Sequence, residues 1–370
     1  MDKKTVAISL VLFIGMSMLF IGMLKSSLAQ VKSDVPLVND AWYDALQAIK
    51  QDSENNPGQP WERGIITSWW DFGHHFKYLS DRAVTFDGGT QVTPQAHWVG
   101  KLFLSSEEDV SVGILRMLDC GGNKAFEIMN AEINDAPETI RRLNSYFIHD
   151  KDFQAWFMNG TKKEQYLLCT PTSAYVIASE EMVGKAGVWG HFGSWDFNRA
   201  DMWINVKGMQ REQAISYMLS HNYTKSDNEA QQLWMQLQRM TESEANNWIA
   251  PWPGYAGIDD CVAQNSSIVC SNGVVITDED VTLSDGRKPQ SFVYLKEGRI
   301  VEKKYPNATL GYSMALTPDN KLVLASPELA NSLFTKLFFF NGAGLEQFKL
   351  LKETQNIDGF KIKVFKVDWQ

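Results

Sequence analysis

The residues best equipped to hold a small polar ligand are gathered in Trp69-Trp70-Asp71-Phe72-Gly73. Two adjacent indoles supply two N–H donors and wide apolar walls, and an ionised carboxylate between them and a glycine can only accept hydrogen bonds. That set suits a small hydroxyl. Ile65-Ile66-Thr67, just before the motif, has the β-branched apolar character of a short buried strand, and the polar residues with Gly73 read as a loop at its end. A second reading of the same residues stays open, with Trp69 and Trp70 as core aromatics and Asp71 as the cap of the next helix.

The pentapeptide resembles the WWDYG signature of the catalytic subunit of membrane oligosaccharyltransferase, a family that moves a lipid-linked glycan onto the Asn of Asn-X-Ser/Thr sequons. Four further stretches look like archaeal members of that family: Asn39-Asp40-Ala41-Trp42-Tyr43, Asp81 to Gly89, His191 to Asp196 and Phe338 to Leu345. The resemblance covers most of this chain but only the C-terminal portion of the family, from its last membrane helix onward. It implies a pocket for the sequon Ser or Thr built from Trp69, Trp70, Asp71, Phe72 and Gly73. A second short motif of an acid, an apolar residue and Lys is implied beside it, for which Glu181, Met182 and Lys185 are the candidates, with a helix N-terminus carrying favourable acids and a solvated Lys as the other reading of the same residues. Phe72 stands where the family has Tyr, and Glu181 departs from an Asp-based pattern.

The resemblance also implies Mn²⁺ or Mg²⁺ in the complete enzyme, held by acidic loops between earlier membrane helices and by no residue identified here. Implied partners are an acceptor protein, a lipid-linked oligosaccharide, the membrane and, for a split subunit, a multi-spanning protein. The expected function is recognition of the acceptor sequon within protein N-glycosylation. This chain alone is expected not to transfer glycan, so whether it is itself an enzyme stays open. The alternative is a single-pass anchored extracellular binding or accessory protein without transferase activity. Fragment, split subunit and free-standing protein also stay open.

The elements that must carry these residues start with an uncharged run from Thr5 to Leu24, which as a helix spans roughly 30 Å, the hydrocarbon thickness of a bilayer. Lys3 and Lys4 ahead of it place the N-terminus inside and the bulk of the chain outside. A cleaved secretory signal ending at Ser27-Leu28-Ala29 is the competing reading, and either one exports the remainder. The expected location is therefore the cell membrane, single-pass, with most of the chain extracytoplasmic. The 370 residues, 44% of them hydrophobic, suffice for such a helix and a large core, which argues against disorder. A net charge of −9 argues against a nucleic-acid partner, since phosphate binders present basic surfaces. Most of the 13 Trp are expected in the core or at a membrane interface, so their number does not imply sugar stacking.

Cys120, Cys169, Cys261 and Cys270 form no CxxC pair and the His residues no ligand pattern, so disulfides fit better than a metal site. Cys261 with Cys270, closing a short loop, is the first candidate pair, and Cys120 with Cys169 the second. Sequons at Asn159, Asn222, Asn265 and Asn307 are candidate modification sites in an exported chain.

The expected fold is one N-terminal transmembrane helix plus a mixed α/β extracellular domain with a β-rich C-terminal subdomain. Residues 1–30 are the cytoplasmic start and helix, 31–260 the α/β core with the motif, 261–326 a β-rich subdomain or insertion, and 327–370 a helix and strand closing the core. After a linker at Asp34 to Val38, Asp40 opens a helix with Trp42, Ala45, Leu46 and Ile49 on one face. Ala83 to Phe86 reads as a strand, and Ser105 to Asp109 as a capping box. Short apolar segments follow at Tyr166 to Cys169 and Ala174 to Ala178. His191 to Arg199 reads as a loop that either binds substrate or staples the core. Ser226 to Ile249 reads as one long helix, and Leu329, Leu333, Leu337 and Phe340 as the face of another. Strand-like runs lie at Val274 to Thr277, Val281 to Leu283, Phe292 to Leu295, Arg299 to Val301, Lys321 to Leu324 and Lys361 to Asp368. No P-loop, GxGxxG, HExxH or GxSxG marks a nucleotide, zinc or serine-hydrolase site.

Overall fold

The computed structural model describes residues 2–33, 37–147, 169, 171–277, 280–283 and 285–369. The Asn159 sequon, most of the Tyr166 to Cys169 segment and part of the Asp34 to Val38 linker lie outside them. The chain divides into two units, Met1–Asp40 and Ala41–Gln370. The first holds the helix Lys3–Ser33, whose Leu12–Val31 stretch has a mean hydropathy of 1.7 and is long and apolar enough to cross a membrane.

The second unit mixes helices with thirteen strands among the described residues: β1 Gly64–Thr67, β2 Ala83–Val84, β3 Ser173–Ser179, β4 Tyr255–Gln264, β5 Ser267–Cys270, β6 Val275–Thr277, β7 Asp280–Thr282, β8 Ser291–Lys296, β9 Arg299–Lys304, β10 Ser313–Leu316, β11 Lys321–Ala325, β12 Phe348–Gln355 and β13 Lys361–Val367. The first sheet runs β12-β13-β3-β1-β2. Within it β1 is parallel to both β2 and β3, whereas β13 is antiparallel to β3. Central β3 is buried from Ala174 to Ser179, as expected for a strand covered on both faces. Gly64 pairs with Ser173 and Thr67 with Val176, so β1 and β3 end at the same edge. Chain segments leaving that edge necessarily become neighbours.

The helix Asp40–Asp52 buries Trp42, Ala45, Leu46 and Ile49, the stripe its spacing predicts, together with Ala41. Gln95–Leu104 crosses Ala186–Gly193 through glycines. A Cβ on Gly100 would lie 2.3 Å from the Trp189 carbonyl oxygen, and one on Gly193 would lie 2.2 Å from the Gly100 carbonyl carbon. Gly100→Ala is therefore expected to push the two helices apart at a cost of about 1–3 kcal/mol. Urea unfolding should show a lower midpoint with an unchanged slope, and a wild-type midpoint would mean the crossing relaxes freely.

The second sheet, β7-β6-β5-β4-β11-β10-β8-β9, is antiparallel except where β10 meets β8. It begins at Tyr255, ahead of the expected boundary at 261. Cys261 and Cys270 face each other across β4 and β5 and are joined, and a second disulfide joins Cys120 to Cys169. Between β8 and β9 both turn residues have positive φ, 49° at Glu297 and 77° at Gly298, the geometry of a two-residue hairpin matched to strand twist. The architecture is thus an N-terminal apolar helix and a mixed helix and sheet domain with a β-rich C-terminal part.

Several local expectations are corrected. Ser226 to Ile249 is two helices, Asp227–Arg239 and Glu242–Ile249, because Thr241 accepts from the Glu244 N–H while the Glu244 carboxylate takes the Thr241 N–H at 2.8 Å. That reciprocal box starts a new helix inside an apolar periodicity that looked continuous. Ser332 likewise caps Leu333–Phe340 and separates it from Pro327–Ala330. Ser105 to Asp109 holds no capping box: the helix starts at Glu108, and the Ser105 hydroxyl accepts from the Glu107 N–H within the preceding turn. His191 to Arg199 is mostly helical, the end of Ala186–Gly193 and the start of Phe197–Val206, and its one glycine, Gly193, serves close packing against Gly100. β4, β5, β10 and β12 carried no recognised signal. Half-buried and exposed residues alternate from Tyr255 to Asp260 in β4, but polar residues such as Asp259 and Asp260 mask the pattern.

Candidate functional site

The motif occupies the exit of β1. The Ser68 hydroxyl donates to the Ile177 carbonyl at 3.0 Å and ties that exit to β3. Trp69 is 3% exposed and sits edge-on to Phe86 at 5.4 Å, with Phe192 6.0 Å away. The expected loop is instead a single 3₁₀ turn, Trp70–Phe72, running straight into the helix Gly73–Ser80. Phe72 packs 4.9 Å from Trp42, which anchors the turn to the helix Asp40–Asp52. Gly73 is required at its position, because a Cβ there would meet the Asp87 Cβ at 2.5 Å and the Phe86 carbonyl oxygen at 2.9 Å.

Asp71 caps neither the 3₁₀ turn nor the helix after it, as both N-cap positions lack a side-chain hydrogen bond. Its Oδ1 instead accepts from Lys185 Nζ at 2.6 Å. Its Oδ2 is sealed from solvent and has no donor among the described residues. Lys185 arrives from the exit of β3, through the short helix Glu180–Gly184. Glu181 Oε1 lies 3.6 Å from the same ammonium. Burial raises the Glu181 pKa; Lys185 pulls it back down and the nearby Asp71 charge adds to the rise. Met182, 1% exposed, lies beneath the turn with Sδ 3.5 Å from the Ser68 hydroxyl, and its carbonyl accepts from the Trp189 indole at 2.8 Å. The structure therefore brings Asp71, Glu181 and Lys185 together, places Met182 as their floor, and holds Trp69 largely in the core.

Sequence reasoning missed Ser68, which fastens the two strand exits, and Asp87, which braces Gly73. Asp87 accepts from Lys77 and, at 2.9 Å, from the Gly89 N–H. Burial alone would raise its pKa, but Lys77, that N–H and His74 hold it below the ordinary value. The Asp87-Gly88-Gly89-Thr90 turn was the available signal. Within the His191 to Arg199 stretch the polar groups staple the core: His191 Nδ1 donates to the Ala250 carbonyl, Asp196 caps the Arg199 N–H, and the Arg199 guanidinium reaches the Trp248 carbonyl at 2.6 Å.

The motif, Asp87, Glu181, Met182 and Lys185 all fall within residues 62–199, which the family model of the STT3/PglB/AglB core domain matches. The chain is similar to that core domain over those residues. Over its whole length it is 27% identical to the dolichyl-phosphooligosaccharide-protein glycotransferase of Methanocaldococcus jannaschii, and over 96% of its length 28% identical to that of Methanococcus voltae. It spans only 38% and 40% of those two relatives. The crystal structure of the C. jejuni pglb C-terminal domain superposes with a TM-score of 0.40 at 13% identity, covering 88% of this chain and 99% of that one. The family-model match and the two glycotransferase relatives bear out the oligosaccharyltransferase resemblance read from the motifs.

Among the described residues no three His, Cys, Asp or Glu side chains converge to hold a metal ion. Asp71 and Glu181, the carboxylates brought together at the end of β1 and β3, share the Lys185 ammonium instead. These residues do not fit the divalent cation that the resemblance implies, and no step is assigned to one.

Proposed function

We propose that the edge where β1 and β3 end recognises the Ser or Thr hydroxyl of an Asn-X-Ser/Thr acceptor, in an oligosaccharyltransferase reaction that moves a glycan from a lipid-linked donor to Asn. The observation that carries this reading is the Asp71 carboxylate. One oxygen is fixed by Lys185 and the other is buried without a donor. An unpaired buried acceptor costs about 1–3 kcal/mol, which an entering hydroxyl removes and an apolar side chain does not. The position supports the reading too, because ligands of open sheets with parallel strands collect outside the strands' carboxyl ends. We further propose that the apolar helix anchors the chain in a membrane with the mixed domain outside.

Titrating Asn-Ala-Thr, Asn-Ala-Ser and Asn-Ala-Val peptides against the detergent-solubilised chain tests the site. Thr and Ser peptides should bind about ten-fold or more tighter than Val. Equal binding of all three would reject sequon recognition and leave the anchored binding protein.

A further inference from the structure

Beside the motif lies a cavity of about 350 Å³, within the usual size range of small-molecule sites, walled by Trp98, Phe126, Phe192, Trp195 and Phe197 with His97 among them. Its aromatic walls favour a flat ring, which can stack or meet them edge-on. His97 Nδ1 is 2.9 Å from the Phe192 carbonyl oxygen. A carbonyl only accepts, so Nδ1 carries the proton and Nε2 of the neutral ring is a bare acceptor. That Nε2 is sealed from water and has no partner among the described residues. Burial, reinforced by Lys101, depresses the imidazole pKa to about 3, so the ring stays neutral at working pH. Other polar groups of the cavity are engaged, the Trp98 indole with Asn123 Oδ1 at 2.9 Å and the Thr93 hydroxyl with the Thr90 carbonyl. Among the described residues no acidic side chain lines it to hold a cation. The His97 ring lies edge-on to Trp98 and Phe197 at 5.0 and 5.2 Å, so a donor reaches Nε2 on displacement of a wall; Phe192 and Trp195 are the walls exposed by 40% and 38%.

We infer that this cavity binds an aromatic ring bearing one hydrogen-bond donor, the phenol of a tyrosine lying near the sequon in the acceptor chain. The source of the ring rests on the sequon reading proposed above; the cavity's ring-and-donor chemistry does not. Phe192 links the two places, since its ring lines the cavity and lies 6.0 Å from that of Trp69. An extended peptide seated at Asp71 advances about 3.3–3.6 Å per residue, which makes the position of the tyrosine relative to Asn the variable to scan.

The test uses the detergent-solubilised full chain and ligand-observed NMR. p-Cresol should bind about ten-fold tighter than toluene or p-methylanisole, neither of which donates, and His97→Phe should erase that preference. Trp195→Ala, a half-exposed position where misfolding is not expected, should weaken all three. Equal affinity for the three probes, or no effect of Trp195→Ala, overturns the site. Peptides with Tyr, Phe or Ala placed at successive positions on either side of Asn-Ala-Thr then test the source of the ring. If Tyr is preferred while Thr and Val sequons bind alike, the cavity stands and the sequon reading falls. If Thr is preferred over Val while Tyr, Phe and Ala peptides bind alike, the sequon reading stands and the acceptor tyrosine is overturned.

Discussion

Arg82→Met is expected to destabilise the Ala41–Gln370 unit by about 3–5 kcal/mol, although Arg82 lies outside the motif. Its side chain is 2% exposed. The guanidinium donates to Ser53 Oγ at 2.6 Å, to the Lys50 carbonyl at 2.9 Å, and to the carbonyls of Pro60, Ser80 and Asp81 at 3.2, 3.1 and 2.8 Å. Two of the acceptors, Lys50 and Ser80, belong to the last turns of Asp40–Asp52 and Gly73–Ser80, where carbonyls have no partner within the helix. One planar cation thus satisfies both helix ends and the turn leading into β1. Methionine fills much of the same volume but donates nothing, and each stranded acceptor costs about 1–3 kcal/mol, less than additively. Arg82→Lys should recover only part of the loss, because a single ammonium cannot reach in all three directions at once. Urea unfolding measures this, and a loss under about 1 kcal/mol would mean that water enters and replaces the guanidinium.

Arg82 also marks where the sequence stops being readable. Its neighbours Ala83 and Val84 announce a strand by type, and Trp42, Ala45, Leu46 and Ile49 announce a helix by spacing, because each signal is local. Nothing local says that one guanidinium will gather carbonyls from three segments. The same limit separates the two halves of the site. Trp69 to Gly73 stands out by composition, but Asp71 and Lys185 are 114 residues apart and meet only because β1 and β3 pair in parallel. Polar composition misled in the other direction. His191 to Arg199 reads as a loop, whereas most of it is helical and Gly193 lets its helix meet the backbone at Gly100. Continuous apolar periodicity misled at Met240 and Asn331, where Thr241 and Ser332 begin new helices.

Asp71→Ala is expected to weaken binding of an Asn-Ala-Thr peptide about ten-fold or more, for 1–3 kcal/mol of lost acceptor, while changing stability little. The small stability effect follows from two opposing terms. The substitution removes the Lys185 hydrogen bond, but it also removes the buried Oδ2 that lacks a donor. Lys185→Met should behave differently, since it leaves Asp71 and Glu181 facing each other without their shared cation. Glu181, already raised by burial, loses the charge that lowers it and should protonate at higher pH than in the wild type. The Asp71 and Lys185 side chains are 20% and 38% exposed, so solvent screens the pair and its coupling in a double-mutant cycle should be about 1 kcal/mol, below that of a fully buried pair. Peptide titration and urea unfolding of wild type, Asp71→Ala, Lys185→Met and the double variant separate the two roles. An Asp71→Ala chain that binds the Thr peptide as tightly as wild type would take Asp71 out of the pocket and leave its pairing with Lys185 a purely structural link between β1 and β3.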